Sequence, residues 1–249
     1  MTKNNKLSIV LRIIELVAVL TILAILLVPI IKDANNSHDG ANKAMDPAKA
    51  QYWREAMWQY RDDDNVQQML LVKCVGECDA IAEYYIKSDS NNAWELKFKD
   101  NAYIGRKGAD GSTPVEGDEK TPFGDFAIGK TAFGILPDPG TQLEWIDVTP
   151  STYACDEDCE YYNQIIDINK CDHKNCKGEE MYKYTPEYNY GFTMDHNPTN
   201  EYPNQSNIFI HCKGAKPYTG GCIALDQDHI ETILKTCSPG MRIVINEIY

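Results

Sequence analysis

From Val66 onward the chain is written mostly in short runs rich in Val, Ile, Tyr, Phe and Trp, and this pattern predicts strands rather than helices. The runs are VQQMLLVKC (66–74), AIAEYYIK (80–87), AWELKFKDNAYIG (93–105), GDFAIG (124–129), LEWIDV (143–148), YNYGFTMD (188–195), SNIFIHC (206–212) and MRIVINEI (241–248). Turn clusters such as SDSNN separate them. Two segments break the pattern. PAKAQYWREAMWQYRDDDN has Pro47 placed to open a short helix whose aromatic residues pack on the domain. QDHIETILKT has helical periodicity, with Asp226 placed to cap it and SPG to stop it. The expected fold class is mainly β with one or two helices.

The N-terminal pattern is different. Ile13 to Ile31 is apolar except for Glu15 and Thr21, close to the roughly 20 residues that cross a hydrocarbon core. Lys3, Lys6 and Arg12 lie on its N-terminal side. Positive-inside logic therefore leaves the N-terminus cytoplasmic and exports the rest. The run is long for a cleaved signal peptide, and no small-x-small cleavage site follows it. The expected organisation is a cytoplasmic tail and transmembrane anchor (1–32), an extracellular linker with a short helix (33–65), and a main β domain (66–249). This places the protein in the cell membrane as a single-pass chain, with its main domain on the extracytoplasmic side. A net charge of −13 argues against a nucleic-acid partner.

Nine cysteines on an exported chain predict disulfides with at least one thiol left over. Proximity suggests Cys74–Cys78, Cys155–Cys159 and Cys171–Cys176; Cys212–Cys237 would use up the remainder, leaving Cys222. A zinc cluster of Cys155, Cys159, Cys171, His173 and Cys176 is the rival reading, but the spacing is loose. No metal or cofactor is expected.

GDFAIGKT (124–131) satisfies the written pattern of a phosphate-binding loop. The context fails: no hydrophobic strand precedes it, and AFGILPDPG cannot open the required helix. The segment reads as a strand, and no nucleotide site is expected.

Chemistry concentrates near IFIHC and YTGGC. Strand alternation puts Ile208, Ile210 and Cys212 on one face of SNIFIHC, and Phe209 and His211 on the other. The short connection to Cys222 suggests a hairpin-like return that brings the sulfur near the imidazole. A neighbouring imidazolium would lower the thiol pKa from about 8.5 and favour the attacking thiolate. Gly220 and Gly221 let a substrate carbonyl approach the backbone, so the N–H groups of Gly221 and Cys222 are candidate oxyanion donors. Thr219 can steady the loop by local hydrogen bonding.

Taken together, IFIHCKGAKPYTGGCIAL resembles the signature of the L,D-transpeptidases of the YkuD type. Upstream, EGDEKTPFGDFAIG followed by TAFG resembles the family's Thr-Pro-x-Gly-x-Phe stretch. WIDVTPSTYACDEDCEYYN and YGFTMDHN also look like segments of one branch. The resemblance spans about 66–249 and implies a β-sandwich-like catalytic domain acting on peptidoglycan stem peptides. Cys222 would attack the carbonyl before a terminal D-alanine of a tetrapeptide donor and release D-alanine. The thioester would then pass to an amine as a 3→3 cross-link. His211 would be the base, Thr219, Gly220 and Gly221 would shape the site, and Tyr162, Asn163 and Tyr190 would contact the groove. The chain departs from the family at Ala224, where many members carry Arg or Asn, and in the short His–Cys connection. Two alternatives stand beside this reading: a carboxypeptidase or endopeptidase that gives the thioester to water, and a non-catalytic wall-binding protein of the same fold.

Overall fold

A computed structural model describes residues 47–171 and 178–248. The expected anchor and the first part of the 33–65 segment, up to residue 46, lie outside the described residues, as do His173 and Cys176. Among the described residues, no helix is long and apolar enough to cross a membrane.

Fourteen strands and two α-helices follow one another in the described chain, numbered here in chain order. The principal sheet has nine strands in the order β11-β12-β13-β3-β2-β1-β14-β6-β7. They are β1 (Gln68–Cys74), β2 (Asp79–Lys87), β3 (Trp94–Tyr103), β6 (Gly124–Gly134), β7 (Glu144–Asp147), β11 (Gly191–Met194), β12 (Phe209–Cys212), β13 (Ile223–Leu225) and β14 (Arg242–Glu247). Strand β11 also pairs with β6, so the sheet curls until its ends meet and encloses the main core. The mainly β expectation is met; the sandwich-like description is refined to one wrapped sheet. A small sheet of β8 (Thr152–Cys155), β9 (Gln164–Asp167) and β10 (Glu179–Glu180) stands apart from it. The paired β4 (Ala109–Asp110) and β5 (Thr121–Pro122) form a third.

Alternation explains how β1 is buried on both faces. Leu70, Val72 and Cys74 point into the enclosed core. Met69 and Leu71 point outward, where helix α1 (Pro47–Gln59) covers them with Trp53 and Ala56. Each large apolar side chain so covered contributes about 1.5–3 kcal/mol. Helix α2 (Gln227–Thr236) buries Ile230, Ile233 and Leu234 on the core side. Its expected cap is not made: Asp226 forms no side-chain cap hydrogen bond, and its carboxylate instead pairs with Lys213 at 2.9 Å.

The GDFAIGKT segment lies wholly within β6, which supports the rejection of a phosphate loop. The hairpin-like return expected between His211 and Cys222 is corrected. Strands β12 and β13 are parallel, with Ile210 opposite Ile223 and Cys212 opposite Leu225. Parallel neighbours need a crossover rather than a tight turn, and residues 213–222 supply it. That crossover is tied to β3's exit by Thr219 N–H to Ile104 O and Arg106 N–H to Thr219 O, both 2.9 Å.

The cysteine pairing is also corrected. Cys74, Cys78, Cys212 and Cys237 are thiols. Cys74 is drawn into the core by strand alternation, while Cys78 donates to Arg106 O at 3.5 Å. Cys212 donates to Tyr190 O at 3.4 Å, and Cys237 to Leu234 O at 3.7 Å. Cys155 is disulfide-bonded, but its sulfur is 3.5 Å from that of Cys159, too far for the expected bond between those two. The remaining expected pair, Cys171–Cys176, includes a residue outside the described set.

Candidate active site

The site forms where β12, the crossover and β13 meet. Alternation along β12 acts as the sequence predicts: Ile208, Ile210 and Cys212 enter the main core, whereas Phe209 enters a second cluster against which Cys222 packs. His211 lies on that second side, its ring edge-on to Tyr188 at 5.4 Å and 81°. His211 and Cys222 share one cavity of about 430 Å³, whose wall also includes Thr219, Gly220 and Ala224.

His211 Nδ1 lies 2.8 Å from Cys212 O. A carbonyl oxygen can only accept, so Nδ1 carries the proton and Nε2 keeps its lone pair. Burial lowers the His211 pKa, and its bond to Cys212 O and the charge of Glu187 oppose that only partly. The imidazole is therefore held neutral, in the tautomer that a general base requires.

The sulfur of Cys222 makes two hydrogen bonds to backbone. Its thiol donates to Asn207 O at 3.3 Å, and Phe209 N–H donates to it at 3.3 Å. Burial pushes its pKa up to about 12, against the opposing effect of Phe209 N–H; the nearby Glu179 pushes further in the same direction. This corrects the expectation of a thiolate beside an imidazolium. Both groups rest neutral, and the thiol S–H points at Asn207 O rather than at the ring.

The turn before Cys222 is held by two threonines. Gly221 N–H donates to Thr219 Oγ1 at 3.1 Å, and that hydroxyl donates to Cys222 O at 2.6 Å. The donor expected of Gly221 is thus already engaged. Gly221 has φ +141°, and a Cβ there would meet Lys120 O at 2.9 Å and Gln205 Nε2 at 3.0 Å. Gly220 is different: a Cβ would meet nothing within 4 Å.

A family model, the YkuD L,D-transpeptidase catalytic domain, matches residues 55–245. The chain belongs to the L,D-transpeptidase catalytic domain family. Comparison with curated proteins and with solved structures returned no match.

In this L,D-transpeptidase domain, the three expected groove residues lie off the cavity of Cys222. Tyr162 is 1% exposed, with its hydroxyl proton shared between two acceptors within reach, Glu116 Oε2 at 2.7 Å and Asn204 O. Tyr190 is buried in the main core, its ring tilted against Trp145. Asn163 takes a left-handed conformation, φ +61°. Its Oδ1 accepts Asn207 N–H at 2.8 Å, so it holds the residue on which the thiol rests.

Several residues near the site had no role assigned from the sequence, and Asp156 belongs to an acidic insert that reads there as solvated surface. Asn207 is left-handed, φ +52°, and its Nδ2 donates to Cys155 O at 2.9 Å. Tyr188 donates its hydroxyl to Glu179. Glu179 and Asp156 line the cavity, and burial raises both carboxyl pKa values. Thr121 donates its hydroxyl to Gly221 O at 2.7 Å. Thr121 and Asp156 stand inside segments that resemble the family's, and Tyr188 and Asn207 inside predicted strands, but only the fold brings them and Glu179 to one place.

Proposed function

We propose that this L,D-transpeptidase-family domain is a peptidoglycan L,D-transpeptidase with Cys222 as nucleophile and His211 as general base. One observation carries the reading: a neutral imidazole with Nδ1–H fixed on Cys212 O shares a cavity with a reduced cysteine. In the proposed reaction the thiol leaves Asn207 O and gives its proton to His211 Nε2. Sulfur then bonds to the carbonyl carbon that precedes the terminal D-alanine. The C–N bond breaks, the proton passes to the leaving nitrogen, and D-alanine departs. The amine of a second stem attacks the thioester, transfers its proton through the ring, and restores the thiol. With Gly221 N–H engaged by Thr219, the N–H of Cys222 is the candidate oxyanion donor.

The apolar Ile13–Ile31 run would hold the domain at the outer face of the cell membrane, within reach of the wall.

Purified protein is incubated with a tetrapeptide donor, with and without an acceptor amine, and products are weighed by mass spectrometry. The reading expects D-alanine release and an acceptor adduct, both absent in Cys222→Ala. Free tripeptide formed at the same rate in both mixtures would reassign the domain to hydrolysis, and turnover by Cys222→Ala would overturn the nucleophile.

A further inference from the structure

We propose that Thr121 is a positioning residue that aims the Cys222 backbone N–H at the acyl oxygen as the thioester forms. The inference rests on Cys222 being the nucleophile of an acyl transfer, as proposed above.

Thr121 is wholly buried, 0% exposed, at the pairing of β4 with β5. Its hydroxyl oxygen accepts Gly105 N–H at 2.9 Å. The hydroxyl has a single proton, and the nearest acceptor is Gly221 O at 2.7 Å, with Cys222 O more distant at 3.4 Å. The donor therefore points at the carbonyl of the peptide that joins Gly221 to Cys222. That peptide is trans. In a trans peptide the C=O and N–H point in opposite directions. Anchoring Gly221 O on Thr121 thus turns the Cys222 N–H to the opposite side. That is the side of the residue's own sulfur, where this N–H opposes the rise of the thiol pKa. An oxyanion on a carbon bonded to Sγ develops on the same side.

The neighbouring peptide is fixed independently, because Thr219 Oγ1 donates to Cys222 O at 2.6 Å. Two threonines from distant parts of the chain thereby lock the peptides on both sides of the Cys222 Cα. Thr219 also occupies Gly221 N–H, so aiming falls on the one peptide that Thr121 holds.

The test compares two reactions of the same sulfur. With p-nitrophenyl acetate, sulfur bonds to the acetyl carbon through an oxyanion and p-nitrophenolate leaves. The thiol proton goes to His211, and water later hydrolyses the thioester. Iodoacetamide is displaced at a saturated carbon, loses iodide and develops no oxyanion. Rates at Cys222 are taken after subtracting the Cys222→Ala background. Thr121→Val should slow acetylation by about 100-fold, the scale of one oxyanion donor, while alkylation stays within about threefold. Thr121→Ser, which keeps the hydroxyl, should restore acetylation. The valine strands Gly105 N–H, so folding is checked by circular dichroism. If that protein does not fold, Thr121→Ala, which leaves room for water there, is read by the same ratio of rates. Unchanged acetylation overturns the inference and leaves the nucleophile standing. Equal loss of both rates also overturns it, because Thr121 would then merely hold the loop. A wild-type protein that alkylates at Cys222 but never acetylates sinks the acyl-transfer reading itself.

Discussion

The resting ionisation of Cys222 is open to direct measurement. Its pKa moves from an ordinary 9.0 to about 12 because burial strips water from the sulfur. That change is worth about 4 kcal/mol against the thiolate. At about pH 7.5 an ordinary thiol with a pKa near 9 is a few per cent ionised; at a pKa near 12 the fraction is roughly a thousandfold smaller. The perturbation is pH itself, stepped from neutral to strongly alkaline. The assay is the rate of iodoacetamide labelling at Cys222 in the native protein, followed by peptide mass spectrometry. The rate should climb about tenfold per pH unit and show no plateau below about pH 11, because only the thiolate attacks. Restricted access would lower every rate equally and leave the midpoint unmoved, so the midpoint is the quantity to read. A plateau near or below neutral pH would mean that Cys222 and His211 rest as an ion pair. The assignment of the thiol proton to Asn207 O would then be wrong.

Five further outcomes follow from the same geometry. His211 must be neutral to accept a proton and its pKa is lowered by burial, so the acid limb of kcat/KM should have its midpoint below 6.5; a midpoint above that value would contradict the desolvation argument. Gly221→Ala forces a Cβ into φ +141° and into Lys120 O at 2.9 Å, which should cost about 2–4 kcal/mol in urea denaturation and most of the turnover. Gly220→Ala meets open space and should stay within about 1 kcal/mol of wild type in the same assay, with turnover retained. Asn163→Ala removes the acceptor of Asn207 N–H and should cost about 1–3 kcal/mol of stability while slowing acylation of Cys222; wild-type values for both would show that Asn207 is held by other contacts. Finally, Cys74, Cys78, Cys212 and Cys237 should alkylate in denaturant without reductant, and a cross-linked peptide joining Cys212 to Cys237 would refute their assignment as thiols.

Helix α2 follows the predicted segment from Gln227 to Thr236, because its apolar periodicity is local and strong. Strands β1, β2 and β14 are legible for the same reason, since each carries a continuous apolar or aromatic run (Met69–Val72, Tyr84–Ile86 and Ile243–Ile245), and β3 is marked by Trp94, Phe98 and Tyr103. The short strands β8, β9, β10 and β13 are not legible. Each is only two to four residues long, so its existence depends on the partner strand more than on its own composition. The Asp226 cap failed for a related reason: the sequence offers a capping residue, but Lys213 on the crossover competes for its carboxylate. Tyr162 and Tyr190, which the resemblance assigned to the groove, are buried instead, because tyrosine carries enough apolar area to be drawn into a core.

The sequence by itself determined the composition of the site: a histidine on the outward register of a strand, a cysteine after two glycines, and a threonine ahead of them. Strand periodicity and glycine's freedom are local properties, so a linear reading reaches them. Only the tertiary structure decided how those groups are poised. The parallel crossover, the curl that joins β11 to β6, and the contacts of Asn207, Asn163 and Thr121 arise between segments far apart in the chain. Those contacts remove water from the sulfur and occupy Gly221 O. Burial and hydrogen-bond partners set proton positions and pKa values, and both are fixed by three-dimensional neighbours that spacing along the chain does not specify.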